Sequence, residues 1–317
     1  MKPILSLSSC WLSQRHQDGY AMLKEMASLG FEWAELSHGI RITLVPGILK
    51  AVEEGVIKIS SCHNFCPLPT GITHAAPNLY VPSSQDRRER EQWLRHSKRS
   101  VEFAAQVGAK KLVLHLGNLE FFWLNPVRKI DRYAEAHPEA DLTKDPAYQK
   151  LLAGVMAKLR AHQARFWENT RAGISELLPY ATSRGVALAL ENREKLEELP
   201  LDADYEQFVA SLPPEALAGY WHDTGHAHIK ERLGVINHRE HLTKNAPRAI
   251  GFHLHDVSAD GHDHQAIGSG QVDFAMISEF WRPEHTLVLE FSPRLAVEDV
   301  IVSKQRVETL LKHRFGQ

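Results

Sequence analysis

The sequence is short of cysteine, of long apolar runs and of net charge, and each shortage excludes something. Three cysteines in 317 residues (Cys10, Cys62 and Cys66) are too few, and odd in number, for a disulfide framework. A reducing, cytoplasmic setting is the expectation. Cys62 and Cys66 flank His63, but no second cysteine pair completes a zinc knuckle. No run of 18 apolar residues is present, so no membrane span is expected. The apolar stretch in MKPILSLSSCWLSQ is brief and a helical pattern follows at once, so it reads as a first strand rather than a leader. The formal net charge is -2, which gives no overall pull towards nucleic acid or anionic membrane. The arginine-rich segment 87–99 (RREREQWLRHSKR) is interleaved with glutamates and reads as an exposed helix face. No GxGxxG follows the first strand, and no Gly-rich phosphate cradle stands out.

Histidine is what the chain has in excess: nineteen, many of them near the ends of apolar runs. Six short runs end on a metal-ligand type of residue: KISSCH at His63, KLVLH at His115, VALALE at Glu191, LAGYWHD at Asp223, AIGFHLH at His255 and TLVLE at Glu290. A buried strand that stops on His, Asp or Glu places that side chain at its carboxyl end. One such ending means little, because a strand must end on something. Six of them, converging, would make a site for a hard-to-borderline divalent ion.

Strand-like and helix-like segments alternate throughout. The apolar runs predict strands at 4–9, 33–37, 57–63, 111–116, 186–191, 219–223, 250–255 and 286–291. Most are continuous rather than alternating, as parallel strands buried on both faces require. Helical patterns cover 18–29, 44–54, 86–107, 147–184 in one or two pieces, 203–211, around 229–246, 273–280 and 296–313. Gly30, Gly55, Gly108 and Gly185 fall after helices, where a left-handed cap belongs. Eight strands and eight helical regions in strict alternation predict a single (β/α)8 TIM barrel domain over 1–317, in preference to a doubly wound sheet. Glu191, Asp223, His255 and Glu290 are separated by 32, 32 and 35 residues, close to the roughly 31 residues per unit of a 250-residue barrel. Longer steps at His63 and His115 imply long loops after strands 3 and 4, at 64–85 and 117–146. The second holds Phe121, Phe122, Trp123, Arg128 and Arg132. Its aromatics fit a lid or sugar-facing wall, ordinary loop packing or a subunit contact equally well.

In a barrel all strand carboxyl ends meet at one mouth. Glu191, Asp223, His255 and Glu290 would then offer three carboxylates and one imidazole, a set suited to Mn²⁺, Mg²⁺, Co²⁺ or Zn²⁺. Asp223 and His226 stand three apart in DTGH. After the seventh strand come His262 and His264, then Gly268 and Gly270, where backbone can approach the mouth closely.

These motifs together resemble the xylose isomerase-like barrel superfamily, which holds sugar isomerases, sugar epimerases and endonuclease IV. The matching pieces are His63, HLG with His115, LEN with Glu191, DTGH at 223–226, HLHD at 253–256, HQAIGSGQVD at 264–273 and LEF with Glu290. The resemblance implies a divalent-metal-dependent isomerase or epimerase of a ketose or related polyol. Its ligands would be Glu191, Asp223, His255 and Glu290. Glu191 and Glu290 would also exchange a proton through a cis-enediolate, with His226, Glu197, His63 and His115 binding substrate. The endonuclease branch implies the alternative, a zinc phosphodiesterase at abasic DNA sites with two or three ions. Its ligand pattern carries onto His63, His115, Glu191, Asp223, His226, His255, His264 and Glu290, with His262 where that branch has an aspartate. The balanced charge favours the small-molecule sugar reading over nucleic acid. A homo-oligomer is compatible with this fold by analogy.

Overall fold

The structure is a computed structural model and describes residues 2–138, 140–213 and 215–316. Its strands are β1 (Ile4–Ser8), β2 (Trp33–Leu36), β3 (Lys58–His63), β4 (Lys111–Leu114), β5 (Ala187–Glu191), β6 (Ala218–Asp223), β7 (Ala249–Leu254) and β8 (Thr286–Leu289). Each pairs in parallel with the next, and β8 pairs with β1, closing an eight-stranded barrel. The helices are α1 (Gly19–Ser28), α2 (Val45–Glu53), α3 (Arg87–Gln106), α4 (Arg128–Ala136), α5 (Pro146–His162), α6 (Ala164–Thr182), α7 (Tyr205–Ala210), α8 (Thr224–Arg232), α9 (His238–Asn245), α10 (Phe274–Ser278) and α11 (Val297–Phe315). Among the described residues no helix is long and apolar enough to cross a membrane.

Local chemistry explains the helix boundaries. Asp18, Asp86, Asp145 and Asn237 each accept backbone N–H groups of the first turn of α1, α3, α5 and α9. Gly30, Gly55, Gly108 and Gly185 adopt φ of 80°, 70°, 78° and 67°, as their places after helices predict.

Strand parity positions the site. Outward-facing residues such as Leu188, Leu190, Phe252 and Leu254 belong to the main core under the helices. Val113, Ala189, Trp221 and Val288 form a separate apolar plug inside the barrel. Two residues further along their strands stand His115, Glu191, Asp223 and Glu290. A period of two therefore lifts each of these side chains one layer above the plug, at the mouth. Gly251 leaves room for the plug's indole: a Cβ there would lie 2.0 Å from Trp221 Cζ3.

The chain departs from the sequence expectation in two places. Segment 117–146, expected as loop, contains α4. With α5 it builds its own apolar cluster, in which Ile130, Tyr148, Leu152, Leu159, Leu196 and Leu199 are buried. The helical stretch around 229–246 is two helices, and α8 begins directly at Thr224. Asp223 thus ends a strand and caps a helix at once, accepting the His226 N–H at 2.8 Å.

Candidate metal centre

Ligand atoms of Glu191, Asp223, His253 and Glu290 all lie within 4.8 Å of one another, and all four residues are buried. His253 Nδ1 is at the middle of this quartet. It lies 2.6 Å from Glu191 Oε1, 3.1 Å from Glu290 Oε2 and 3.8 Å from Asp223 Oδ2. The register explains the choice of histidine: His253 pairs with Asp223 across β6 and β7. His255 shares its parity but stands one layer higher, at the rim.

His255 is accordingly gathered into other groups, one with Asp223 and His226 and one with His264 and Glu290, but not with Glu191. Its Nδ1 accepts the His264 N–H at 2.9 Å, which leaves Nε2–H to donate to Asp223 Oδ2 at 2.9 Å. His63 and His115 form a further group with Glu191. His115 Nε2 is 2.9 Å and His63 Nε2 3.7 Å from Glu191 Oε2. His226 donates from Nδ1 to the Asn192 carbonyl at 3.0 Å, and its Nε2 is 3.8 Å from Asp263. His264 Nε2 is 3.6 Å from Glu290 Oε2. His262 is at the exposed edge, 3.4 Å from Asp260, and belongs to none of the ligand groups. Glu197 turns away from the quartet, accepting from Asn125 Nδ2 at 2.6 Å, and lines a separate polar cavity of about 410 Å³. Phe122 and Trp123 are 90% and 84% exposed and do not line the mouth, while Phe121 stacks on His162.

Three groups that the strand-end pattern does not reveal complete the site. Glu35, inside the barrel on β2, lies 3.2 Å from His253 Nε2 and is fixed by Ser8 and Ser61 hydroxyls at 3.1 and 2.7 Å. Arg193 donates from Nη1 to Glu191 Oε2 at 2.8 Å and from Nε to Glu198 Oε1 at 3.1 Å. Asn192 accepts the Asp223 N–H at 2.7 Å and donates to the Asp223 carbonyl at 3.0 Å, tying β5 to the end of β6.

The electrostatics favour ionised carboxylates. Burial pushes Glu191 up, but Arg193, His253 and His115 outweigh it and hold the carboxyl well below the usual range. Burial likewise opposes His253 and His264, which together keep Glu290 well below the usual range. The His253 imidazole, which burial would keep neutral, is raised well above its ordinary value by Glu290, Glu35 and Glu191. Three carboxylates converging on one imidazole nitrogen mark a point where positive charge is strongly favoured. Above it opens a cavity of about 680 Å³ lined by Ser37, His38, His63, His115, Arg193, His226 and Arg294 among others.

A family model described as "Xylose isomerase-like TIM barrel" matches residues 23–282. No curated protein matches the chain. Among solved structures, a D-tagatose 3-epimerase-like protein superposes with TM-score 0.68 at 17% identity, over 98% of this chain and 97% of that one. The 3-keto-D-glucoside 4-epimerase of E. coli gives 0.66 at 14% identity, over 97% and 100%. The D-allulose 3-epimerase of a Methylomonas species gives 0.66 at 13% identity, over 98% and 98%.

Proposed function

Because this chain belongs to the xylose isomerase-like TIM barrel family, we propose that it is a divalent-metal-dependent sugar isomerase or epimerase acting on a ketose or related polyol. The observation that carries this reading is the buried quartet of Glu191, Asp223, His253 and Glu290. Three carboxylates and one imidazole are donors that Mn²⁺, Zn²⁺, Mg²⁺ or Co²⁺ accepts. His253 takes the place among the ligands that the spacing gave to His255. Glu35 behind it matches the outer carboxylate that orients a ligating imidazole. The activities named for the tagatose-, keto-glucoside- and allulose-type neighbours support the substrate class.

When bound, the ion supplies Lewis acidity and a template for a carbonyl and an adjacent hydroxyl. Glu191 and Glu290 enter the site from β5 and β8, with Oε1 of the first 2.6 Å and Oε2 of the second 3.1 Å from His253 Nδ1. One takes the proton from the carbon beside the carbonyl and the other returns it, by way of the substrate's enediolate. Both are held ionised before substrate binds, so the one that takes the proton acts as it stands, and the one that returns a proton first takes it up from solvent or a substrate hydroxyl. His63, His115 and His226 line the cavity and bind substrate hydroxyls. His255 steadies Asp223 by donating to Oδ2.

One observation favours a second reading, an endonuclease IV-like zinc phosphodiesterase: groups at His63, His115 and Glu191 and at Asp223, His226 and His255 flank the quartet. Elemental analysis of the purified protein, then incubation in D₂O with a panel of ketoses and separately with an abasic-site oligonucleotide, decides between them. Bound divalent metal and deuterium entering a ketose beside its carbonyl are the expected results. Metal-free protein, or strand cleavage with no exchange on any ketose, overturns the sugar reading.

A further inference from the structure

We propose that Arg193 is a built-in cation occupying the second metal position, so that this barrel holds one divalent ion rather than two or three. The inference rests on the metal-dependent reading above and concerns the other side of the same glutamate. Glu191 is two-faced. Oε1 turns to His253 and the quartet, while Oε2 turns to His63 and His115. An ion shared by His63, His115 and Glu191 would need Oε2 as a ligand at about 2.0–2.2 Å. That oxygen already accepts a charged hydrogen bond from Arg193 Nη1 at 2.8 Å, while His115, whose Nδ1–H donates to Asn78 Oδ1 at 2.7 Å, turns its unprotonated Nε2 towards it at 2.9 Å. The guanidinium thus holds the carboxylate oxygen through which an ion between His63 and His115 would have to bind.

Arg193 is not a passing surface residue. Its side chain is 12% exposed, and Glu198 fixes it from behind through the Nε contact at 3.1 Å. Glu198 in turn accepts the Lys195 N–H at 2.9 Å. A guanidinium does not lose its proton in a protein, so its charge cannot be removed to admit a cation, as a lysine's can. A divalent ion beside it would face both that repulsion and the loss of the Arg193–Glu191 pair. The quartet on the Oε1 side is untouched by this arrangement. His63 and His115 are left with their rings lining the cavity, free to bind substrate oxygens.

The test is metal stoichiometry, measured by elemental analysis and by calorimetric titration with Zn²⁺ and Mn²⁺. Wild type is expected to bind one ion per chain. Arg193→Met should bind two, and adding His115→Ala to it should restore one. Arg193→Lys, which restores a positive charge, should hold fewer second ions than Arg193→Met. Two or more ions in wild type, or one in Arg193→Met, overturns the inference while leaving the sugar reading standing. No ion in wild type removes both. Should Arg193→Met fail to fold, His115→Ala alone still decides. It should leave the single ion's affinity within a few-fold, whereas a loss of 100-fold or more, beyond the 10–100-fold of an outer-sphere partner, would make His115 a ligand and overturn the inference.

Discussion

Glu35 Oε1 lies 3.2 Å from His253 Nε2, on the side of the imidazole opposite the three carboxylates that its Nδ1 faces. Glu35 is itself pinned by Ser8 and Ser61. The carboxylate therefore sets both the ring's orientation and its basicity without reaching the quartet's centre. Glu35→Gln is expected to weaken metal binding by about 10–100-fold. Calorimetric titration of the metal-stripped protein checks this, and an unchanged affinity would remove Glu35 from the site's support.

Glu290 enters from β8, its Oε2 3.1 Å from His253 Nδ1. Glu290→Gln keeps the shape and removes the charge. With metal in excess, turnover should fall by about 10²-fold or more, the usual range for loss of an acid–base group. Steady-state kinetics on the best ketose, alongside metal content, separates a lost base from a lost ligand.

A buried histidine chain behind β6 gives the fold an acid limit. The Tyr220 hydroxyl is 2.8 Å from His222 Nδ1 and 3.1 Å from His241 Nε2, and His222 Nε2 is 2.9 Å from His238 Nε2. Burial, with His241 and His228 nearby, lowers His238 to about 3. Its unfolded value is about 6.5. Between these values the unfolded chain takes up a proton that the folded chain refuses. Stability is thus flat in this group above about pH 6.5 and falls below it, by up to about 1.4 kcal/mol per pH unit for each such histidine. Burial also lowers His222 and His241, so the losses accumulate. Urea midpoints from pH 8 to pH 4 check the sign: a midpoint that rises on acidification contradicts it.

Asp256 organises the loop after β7. Its carboxylate accepts from the N–H groups of Val257, Gly268, Gly270 and Val272 at 2.9, 2.8, 2.9 and 3.1 Å. A Cβ at Gly270 would lie 1.9 Å from the Val257 carbonyl oxygen, which explains the glycine there. Asp256→Ala orphans four donors and is expected to cost about 2–4 kcal/mol. Urea denaturation measures that loss. A change within about 0.5 kcal/mol, as for an ordinary surface substitution, would contradict it.

Much of this molecule was legible in its sequence, for reasons particular residues make plain. Runs such as ALALE and TLVLE are continuous because a barrel strand is buried on both faces, so all eight strands could be located. Glu191, Asp223 and Glu290 could be read because each follows an apolar plug residue by two. The fourth position could not. His253 and His255 share a face, and only register tells which is level with Asp223. That register shifts between Tyr220 and Trp221, a local irregularity that residue spacing does not record. Glu35 precedes Leu36 inside an ordinary-looking strand, and nothing in WAEL marks it as facing the barrel interior. Arg193 stands next to the charged run 194–198, which reads equally well as solvated surface. Helix α4 escaped because RKIDRYAEA is mostly charged and buries only Ile130.

The four quartet residues all come from β5 to β8, whereas Ser13, Gln14, Ser37, His38 and Gly39 on the cavity wall follow β1 and β2. The ends of β1 and β2 thus contribute wall to the cavity but no member of the quartet. Substitutions at Ser13, Gln14 or His38 can remodel that space without replacing a quartet residue. Directed evolution of new preferences therefore has a natural starting point at those wall positions.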